Sequence, residues 1–296
     1  MYSFVRLNNE QLSSYAELTF PSLREELLSE SREPSVIAIG AMLFGKPIGL
    51  VWGKYWARYG YGQIKTIFVI DKYRRRGIGG SLLREMELAF EQLGCKEMRF
   101  DYRHDQARSL IWERLFQQTD WSHTYGSLHT FTVSVSQLME LEWVRRQRLP
   151  ERFSFMTWSE LKAEEQAFIE AGKDVWYPAS MTPLHKETSK TVNLSVGLRY
   201  GADIIGWMII HEHDEDTVIG DRMYVRQPFQ AQGRAVSAMI EAVRRIAEAG
   251  FRFARFDVSG NNKQMLRFVE RKMKPCLVDS YEVVRLNKRL AVADYA

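Results

Sequence analysis

Two glycine-bearing segments of the chain have the residue types and the spacing that suit the binding of a phosphate or pyrophosphate group. The first is Arg-Arg-Arg-Gly-Ile-Gly-Gly over residues 74–80, and the second is Gln-Ala-Gln-Gly-Arg-Ala over residues 230–235. Each follows a short apolar run and precedes an apolar pattern with helical spacing. A strand, a tight turn and a helix N-terminus direct several backbone N–H groups at one point, and this favours a bound anion.

The spacing of these segments differs from that of two common nucleotide-binding loops. The Gly-Lys-Ser/Thr end of a Walker P-loop is missing, and the glycines do not follow the dinucleotide spacing Gly-x-Gly-x-x-Gly. Both segments fit the pattern Gln/Arg-x-x-Gly-x-Gly/Ala instead. On a strand–loop–helix unit, this pattern resembles the coenzyme A loop of the GNAT family of N-acyltransferases.

The resemblance implies that acetyl-CoA binds along the first loop. Residues 69–79 are a close match to the family's central motif, and residues 225–235 are a second match. By this resemblance the cofactor-binding residues are Ile67, Phe68, Val69, Arg74, Arg75, Arg76, Gly77, Ile78, Gly79, Gly80, Ser81 and Asp105. A second candidate cofactor site comprises Val225, Gln230, Gln232, Gly233, Arg234 and Ala235. The first loop has two more arginines and the full Gly-x-Gly-Gly run, so we expect acetyl-CoA in the first half.

The two loops belong to a long internal repeat. Val69 and Val225 are 156 residues apart, and so are Gly77 and Gly233. The tripeptide Arg-Phe-Asp at residues 99–101 recurs at residues 255–257 with the same offset. A period of this length is that of a small domain rather than of a solenoid unit. The sequence therefore predicts two tandem domains.

The predicted division is an N-terminal domain over residues 1–135, a partly helical linker over 136–151 and a C-terminal domain over 152–296. Each half has the same order of predicted strands and helices, which favours an α/β (α+β) fold with a central mixed β-sheet flanked by helices. This order is also the one expected of the GNAT fold.

Several predicted elements can be checked individually. In the first half, Asn9 is expected to cap a helix over residues 10–19, and a strand is expected over 64–70. In the second half, we predict a helix over residues 159–170 and a strand over 191–199.

Composition and charge exclude several classes of protein. The 296 residues are 45% hydrophobic and 26% charged, which is ordinary for a soluble globular protein. The net charge is only +4 and no broad basic patch alternates with aromatic residues, so we expect no nucleic-acid partner. The two cysteines, Cys95 and Cys276, give no disulfide framework and no metal-ligand spacing. With neither a signal peptide nor a membrane span in the sequence, we expect a cytoplasmic protein, as a monomer or homodimer.

The catalytic residues are less well defined by the sequence. The resemblance implies a Tyr on the helix after the fifth strand, but Trp112 stands there, and the common strand Glu is also absent near Ile64. The candidates that remain are Asp101 and Tyr102, at the end of a predicted strand near the cleft. The alternative role for Asp101 is that of a helix cap or a loop hydrogen-bonding group, and the residue type favours it.

The resemblance implies an N-acetyltransferase that moves an acetyl group from acetyl-CoA to the primary amine of a small molecule. Direct attack in a ternary complex is the expected mechanism, without a metal. Two alternatives stay open: a transferase for a longer acyl or an aminoacyl group, and a non-catalytic acyl-CoA-binding sensor or scaffold. The missing Tyr and Glu keep the sensor alternative open.

Overall fold

The computed structural model describes residues 2–30, 33–104, 106–117, 119–123, 127–184, 193–230 and 233–290. Contacts between Cα atoms divide the chain into two units. Unit 1 contains Met1–Ser127 and Glu282–Ala296, and unit 2 contains Leu128–Tyr281.

Unit 1 begins with a strand and two helical segments and continues as a sheet with further helices. Its elements are β1 (Ser3–Arg6), α1 (Asn9–Leu12), α2 (Pro21–Glu30), β2 (Val36–Leu43), β3 (Lys46–Trp56), β4 (Tyr61–Val69), α3 (Ile78–Gln92), β5 (Glu97–Arg103), α4 (Gln106–Phe116) and the short β6 (Ser122–His123). The sheet continues with the end of the last strand of the chain. The strand order is β1-β2-β3-β4-β5 followed by that strand, and only the β4–β5 pair is parallel.

Unit 2 repeats this order. Its elements are β7 (Leu128–Ser134), α5 (Val135–Glu140), α6 (Glu142–Arg145), β8 (Phe153–Thr157), α7 (Ala163–Ala171), β9 (Val196–Tyr200), β10 (Asp203–Glu212), β11 (Thr217–Val225), α8 (Gln227–Gln230), α9 (Arg234–Glu248), β12 (Phe253–Ser259), α10 (Lys263–Phe268) and the start of β13 (Leu277–Arg289). The strand order is β7-β12-β11-β10-β9-β8, and β11–β12 is the parallel pair. The mixed strand pairing and the flanking helices of each unit confirm the predicted fold class.

The last strand of each repeat does not pack where the chain order places it. Residues Val283–Arg289 of β13 pair antiparallel with β5 in unit 1. The equivalent strand of the first repeat, β7, pairs with β12 in unit 2. The repeat boundary and the packing boundary therefore differ by one exchanged strand in each direction.

The segment predicted as a linker contributes to the core of unit 2. Residues 136–151 contain most of α5 and all of α6, as the partly helical pattern predicts. Leu138 and Val144 are buried in the main apolar cluster of unit 2, while Arg145, Arg146 and Arg148 are exposed. The apolar face of this segment is therefore anchored to unit 2.

Helices cover both faces of the unit 1 sheet. On one face, α3 buries Leu82, Leu83, Met86 and Phe90, which follow each other at helical spacing. On the other face, Leu27 of α2 packs in a cluster with residues of β2 and β3. The sheet is consequently buried on two sides, and its ends are the parts that a ligand can reach.

Three predicted elements have different bounds in the structure. Asn8, not Asn9, caps the first helix, because its side chain accepts the Gln11 N–H at 3.0 Å and the Gln11 side chain accepts the Asn8 N–H. The helix predicted from residue 159 begins at Ala163, after a 3₁₀ turn over Trp158–Glu160. The strand predicted from residue 191 begins at Val196, and residues 191 and 192 lie outside the described part of the chain.

Candidate functional site

Helix α3 begins with a row of backbone amides that have no acceptor within the helix. Its N-cap is Gly77, whose φ of 80° lies in the left-handed region, and no side chain caps the helix. The first backbone bond of the helix runs from the Ser81 N–H to the Gly77 carbonyl at 3.0 Å. The N–H groups of residues 77–80 are thus free for an external acceptor, and the helix dipole adds positive potential there.

The backbone of this turn is open to close approach. A Cβ atom at Gly77 or Gly80 would meet no protein atom within 4 Å, and one at Gly79 would lie 3.6 Å from a methyl group of Leu115. The glycines are therefore not required by tight protein packing here. Gly77 is required by its positive φ, and all three leave the amides uncovered for a ligand.

The side chain at the first position of the motif holds the loop together. The Arg74 Nε donates to the Val69 carbonyl at 2.8 Å, and an Nη of Arg74 lies 2.7 Å from Asp71. At the same place in the second loop, the Gln230 amide donates to the Val225 carbonyl at 2.7 Å. Cofactor binding by Arg74 and Gln230 stays a prediction. The internal bond was not predicted from the sequence, and both an Arg and a Gln side chain can donate it.

Arg75 and Arg76 differ in how they are held. Arg76 donates to the Tyr2 hydroxyl at 3.3 Å and lies over the Tyr73 ring. Arg75 is exposed, has a φ of 60°, and pairs with no acidic group in the described part of the chain. A left-handed conformation costs an L-residue about 1–2 kcal/mol. A strained residue with an unpaired charge beside free amides is typical of a binding loop.

Strands β4 and β5 separate beside this loop. Their parallel pairing runs from Tyr61↔Glu97 to Ile64↔Phe100 and stops there. A bulge at Lys65 shifts the register of β4 against β3 at the same level. Beyond it, Ile67, Phe68 and Val69 remain paired with β3 on one edge only. Their other edge pairs with no strand in the described residues. The Val69 carbonyl accepts the Arg74 bond, and the remaining main-chain groups of this edge can pair with an inserted chain.

Unit 2 has the same geometry at the equivalent positions. The β11–β12 pairing stops at Gly220↔Phe256, and the bulge falls at Asp221, 156 residues after Lys65. Gly233 has a φ of 72° and caps α9. The Arg234 guanidinium, however, lies over the Phe153 ring at 4.4 Å, so it is partly engaged within the unit.

Two predicted cofactor residues, Asp105 and Gln232, lie outside the described residues. The other predicted residues of each loop come together around the start of its helix. Ile67 and Val69 turn their side chains into the core, so they offer main-chain groups, and Phe68 packs in the cluster on the opposite face. Ile78 is buried, and Ser81 gives the first helical N–H bond. Ala235 follows Arg234 in the first turn of α9.

Asp101 is bound by two guanidinium groups. An Nη of Arg99 lies 2.7 Å from one carboxylate oxygen, and the Arg285 Nε lies 3.2 Å from the other. Arg285 comes from the exchanged strand β13, 184 residues away in sequence. Both carboxylate oxygens are engaged by guanidinium groups, so this geometry favours a positioning role for Asp101.

Tyr102 lies on the stretch of β5 that is unpaired with β4. It is 7% exposed, and its ring centroid lies 6.1 Å from those of Phe100 and Trp112. Burial, and secondarily the Glu113 carboxylate, raises the pKa of the Tyr102 hydroxyl above its ordinary value. The group therefore keeps its proton at neutral pH, as a proton donor must.

The bulge residues Lys65 and Asp221 lie beside the positions at which the resemblance implies a Glu on the strand. Lys65 forms an ion pair with Glu26 of α2 at 2.8 Å. In unit 2, Asp221 lies 3.2 Å from His211 and 3.3 Å from Arg222. The bulge interrupts the alternation of side chains between the two faces of the strand. A residue one position away along β4 or β11 therefore need not lie on the opposite face.

In the described residues, neither a metal-binding cluster nor a membrane-spanning helix is present. No group of three or more His, Cys, Asp or Glu side chains in the described ranges has a metal-binding arrangement. Within the part of the chain that the structure describes, no helix combines the length and apolar character that crossing a bilayer requires.

Comparison with known proteins identifies related folds. A model of the acetyltransferase (GNAT) family matches residues 2–115 and 151–274. A tandem GNAT protein from the clavulanic acid biosynthesis pathway superposes with a TM-score of 0.67 at 10% identity, over 99% of this chain and 100% of that chain. A GCN5-related N-acetyltransferase from Sphaerobacter thermophilus gives a TM-score of 0.72 at 14% identity, over 98% and 96% of the two chains.

A third similar structure belongs to a longer protein. A GCN5-related glucosamine N-acetyltransferase region of a fungal multi-domain GH3 β-N-acetylglucosaminidase gives a TM-score of 0.72 at 15% identity. The match covers 96% of this chain and 38% of that protein. At these identities the similarity shows the tandem fold. No curated protein sequence matches this chain.

Proposed function

Because this chain belongs to the acetyltransferase (GNAT) family, we propose that it transfers an acetyl group from acetyl-CoA to the primary amine of a small molecule. We place the acetyl-CoA site in unit 1. The observation that carries this proposal is the row of uncapped amides at residues 77–80, beside the gap between β4 and β5.

Acetyl-CoA has groups that suit each part of this arrangement. Its pyrophosphate fits the free amides at the start of α3, with Arg75 supplying an unpaired positive charge. Its pantetheine amides fit the unpaired edge of Ile67–Val69, as an added strand would. This binding mode uses main-chain groups at both points, so few side chains are needed to hold the cosubstrate.

The reaction requires a neutral amine and a stabilised leaving group. A lysine-like amine has a pKa near 10.4, so deprotonation at neutral pH costs about 4 kcal/mol. The neutral nitrogen attacks the thioester carbonyl carbon and the C–S bond breaks. The nitrogen then loses its surplus proton to solvent, and the thiolate accepts a proton. Tyr102 is our proton donor, because its hydroxyl is protonated and lies on the separated stretch of β5. Holding the two substrates together supplies a further part of the rate acceleration.

A non-catalytic acyl-CoA sensor is the second candidate function. Two observations favour it: Trp112 stands at the position of the family Tyr, and Asp101 is bound by two arginines rather than free to accept a proton. A sensor needs the amide row and the strand gap but no acid or base. Transfer of a longer acyl or an aminoacyl group would use the same site, with a different donor.

Release of free thiol separates these functions. Purified protein is incubated with acetyl-CoA and a panel of small primary amines, and thiol is followed with a chromogenic disulfide. Amine-dependent release supports the transferase. Binding of acetyl-CoA without release of thiol in the presence of any amine supports the sensor and contradicts the proposed reaction. Release only from a longer acyl-CoA supports the alternative donor.

A further inference from the structure

Unit 2 contains a cavity of about 520 Å³ whose lining carries both an arginine and an aspartate. Its lining residues come from two segments, Asp174–Pro178 after α7 and Arg226–Pro228 after β11. The volume lies within the ~300–1,000 Å³ range of small-molecule sites. Beside these charged groups, the lining contains Val175, Trp176, Tyr177, Gln227 and two prolines.

The Arg226 guanidinium is held by aromatic rings and not by an acid. It lies 5.0 Å from the centroid of Trp176 and 5.8 Å from that of Phe168. Among the described residues it forms no ion pair. A guanidinium that rests its face on a ring keeps its in-plane N–H donors, and these match the two oxygens of a carboxylate.

Trp176 is fixed in place by its surroundings. Its ring stacks on Phe168 with centroids 5.6 Å apart, and its carbonyl accepts the hydroxyl of Tyr224. A Cβ at Gly172 would collide with its indole, so only glycine permits this position. The aromatic support under Arg226 is therefore built before any ligand arrives, which lowers the cost of binding.

Asp174 supplies a carboxylate with an available oxygen. Its Oδ1 accepts the Ala179 N–H at 2.8 Å, and no other bond to its side chain occurs within the described ranges. Its φ of 58° places it in the left-handed region. Asp174 and Arg226 line the same cavity without pairing with each other, so opposite charges remain available at separate points of its wall.

We propose that this cavity binds a small zwitterion, an α-amino acid with an apolar side chain. Arg226 receives the carboxylate, Asp174 receives the ammonium group, and Trp176, which is half-buried, contacts the side chain. The site lies wholly in unit 2 and does not depend on the acetyl transfer proposed for unit 1.

The test uses the full chain and begins with a thermal-shift screen of the twenty proteinogenic amino acids at up to 10 mM. The strongest apolar ligand is then titrated by calorimetry, with L-phenylalanine as the reference probe. Phenethylamine lacks the carboxylate and 3-phenylpropanoate lacks the ammonium group. We expect both to bind roughly 30-fold or more weakly than L-phenylalanine, as is typical when one member of a close charge pair is removed.

The variants are Arg226→Gln and Asp174→Asn, and each should weaken amino-acid binding by roughly 30-fold. Asparagine tolerates the left-handed conformation of residue 174, so that variant should fold normally. Arg252→Gln is the matched control, because Arg252 also lies over a ring, that of Phe253, but lines no part of the cavity. It should bind like the wild type.

Three results would each overturn the proposal. One is that no amino acid shifts the melting temperature or gives heat at 10 mM. The second is that 3-phenylpropanoate equals L-phenylalanine, and the third is that Arg226→Gln, folded by circular dichroism, binds as well as Arg252→Gln. Retention of thiol release in Arg226→Gln would show that acetyl transfer does not require the amino-acid site of unit 2.

Discussion

Tyr102 and Asp101 are neighbours with different surroundings, and this difference decides their roles. Tyr102 is buried among aromatic rings with its proton held, whereas both oxygens of Asp101 face guanidinium groups. Sequence analysis could name both residues from their place at the end of β5. It could not distinguish them, because Arg285 reaches Asp101 from the far end of the chain.

Replacement of Tyr102 by Phe should lower kcat with acetyl-CoA and an accepted amine, on the order of 100-fold, because the thiolate loses its proton donor. The dissociation constant of acetyl-CoA should be unchanged. Tyr55→Phe is the matched control, since Tyr55 is 8% exposed in the same core. Steady-state kinetics measures kcat, and calorimetry measures the dissociation constant of acetyl-CoA. Equal kcat values for the two variants would remove Tyr102 from the mechanism.

The pH dependence of kcat is a second test of the role of Tyr102. The pKa of the Tyr102 hydroxyl is raised by burial, so the hydroxyl stays protonated at neutral pH. Any loss of kcat through its ionisation should therefore occur at a higher pH than the ionisation of an exposed tyrosine. The Tyr102→Phe variant should lack this alkaline limb.

Arg75 should bind acetyl-CoA without contributing to stability. Its φ is positive and its charge has no acidic partner among the described residues, so Arg75→Asn removes strain and charge together. We expect an equal or higher melting temperature and about 10-fold or weaker acetyl-CoA affinity.

Lys96→Asn provides the control for that change. Lys96 is exposed at the opposite end of β4 and β5 from the loop, where its N–H bonds to the Gly60 carbonyl. Its replacement should leave affinity unaltered. An Arg75→Asn protein with lower stability and normal affinity would assign this arginine to the fold.

The strand–loop–helix element is the part of the site that the sequence predicts best. Glycine spacing and the 156-residue offset locate both loops and their helices. The bulges at Lys65 and Asp221 were not predictable, because no residue type there signals an extra residue. They depend on pairing with β3 and β10, which sequence spacing alone does not reveal.

The two cap glycines should contribute equally to stability. Gly77 and Gly233 have φ values of 80° and 72°, and a Cβ at either would meet no atom within 4 Å. Gly77→Ala and Gly233→Ala should therefore each cost about 1–2 kcal/mol, solely from the left-handed backbone. Urea unfolding measures this. A much larger loss in one variant would indicate a packing role that the structure does not contain.

At the scale of the whole molecule, the exchanged strands were beyond sequence prediction. The repeat places residues 128–135 in the first half and 277–286 in the second. Either strand could complete either sheet, since the two copies have the same pattern. Side-chain contacts of β13 determine which strand completes the sheet of unit 1. Lys288 pairs with the nearly buried Glu87 at 2.9 Å, and Leu286 lies in the unit 1 core.

Truncation after Tyr281 should therefore disrupt unit 1, although residues 1–127 remain intact. The chain would lose the β13 pairing with β5 and the buried Leu286 and Leu290. We expect loss of acetyl-CoA binding and lower stability. Leu286→Ala, a milder change, should cost about 2–5 kcal/mol. Truncation after Leu290 is the control and should behave as the wild type. Unimpaired binding after truncation at Tyr281 would contradict the strand exchange.

The row of amides at the start of α3 is the central feature of the proposed site. Calorimetric titration of acetyl-CoA tests its role directly. We predict that the wild type binds one equivalent per chain and that Gly233→Ala does the same. Gly77→Ala, its match in stability, should bind at least about 10-fold more weakly, because alanine disfavours the φ of 80° that directs the amides of this turn at the ligand. Absence of binding to the wild type, or full affinity in Gly77→Ala, would contradict the account.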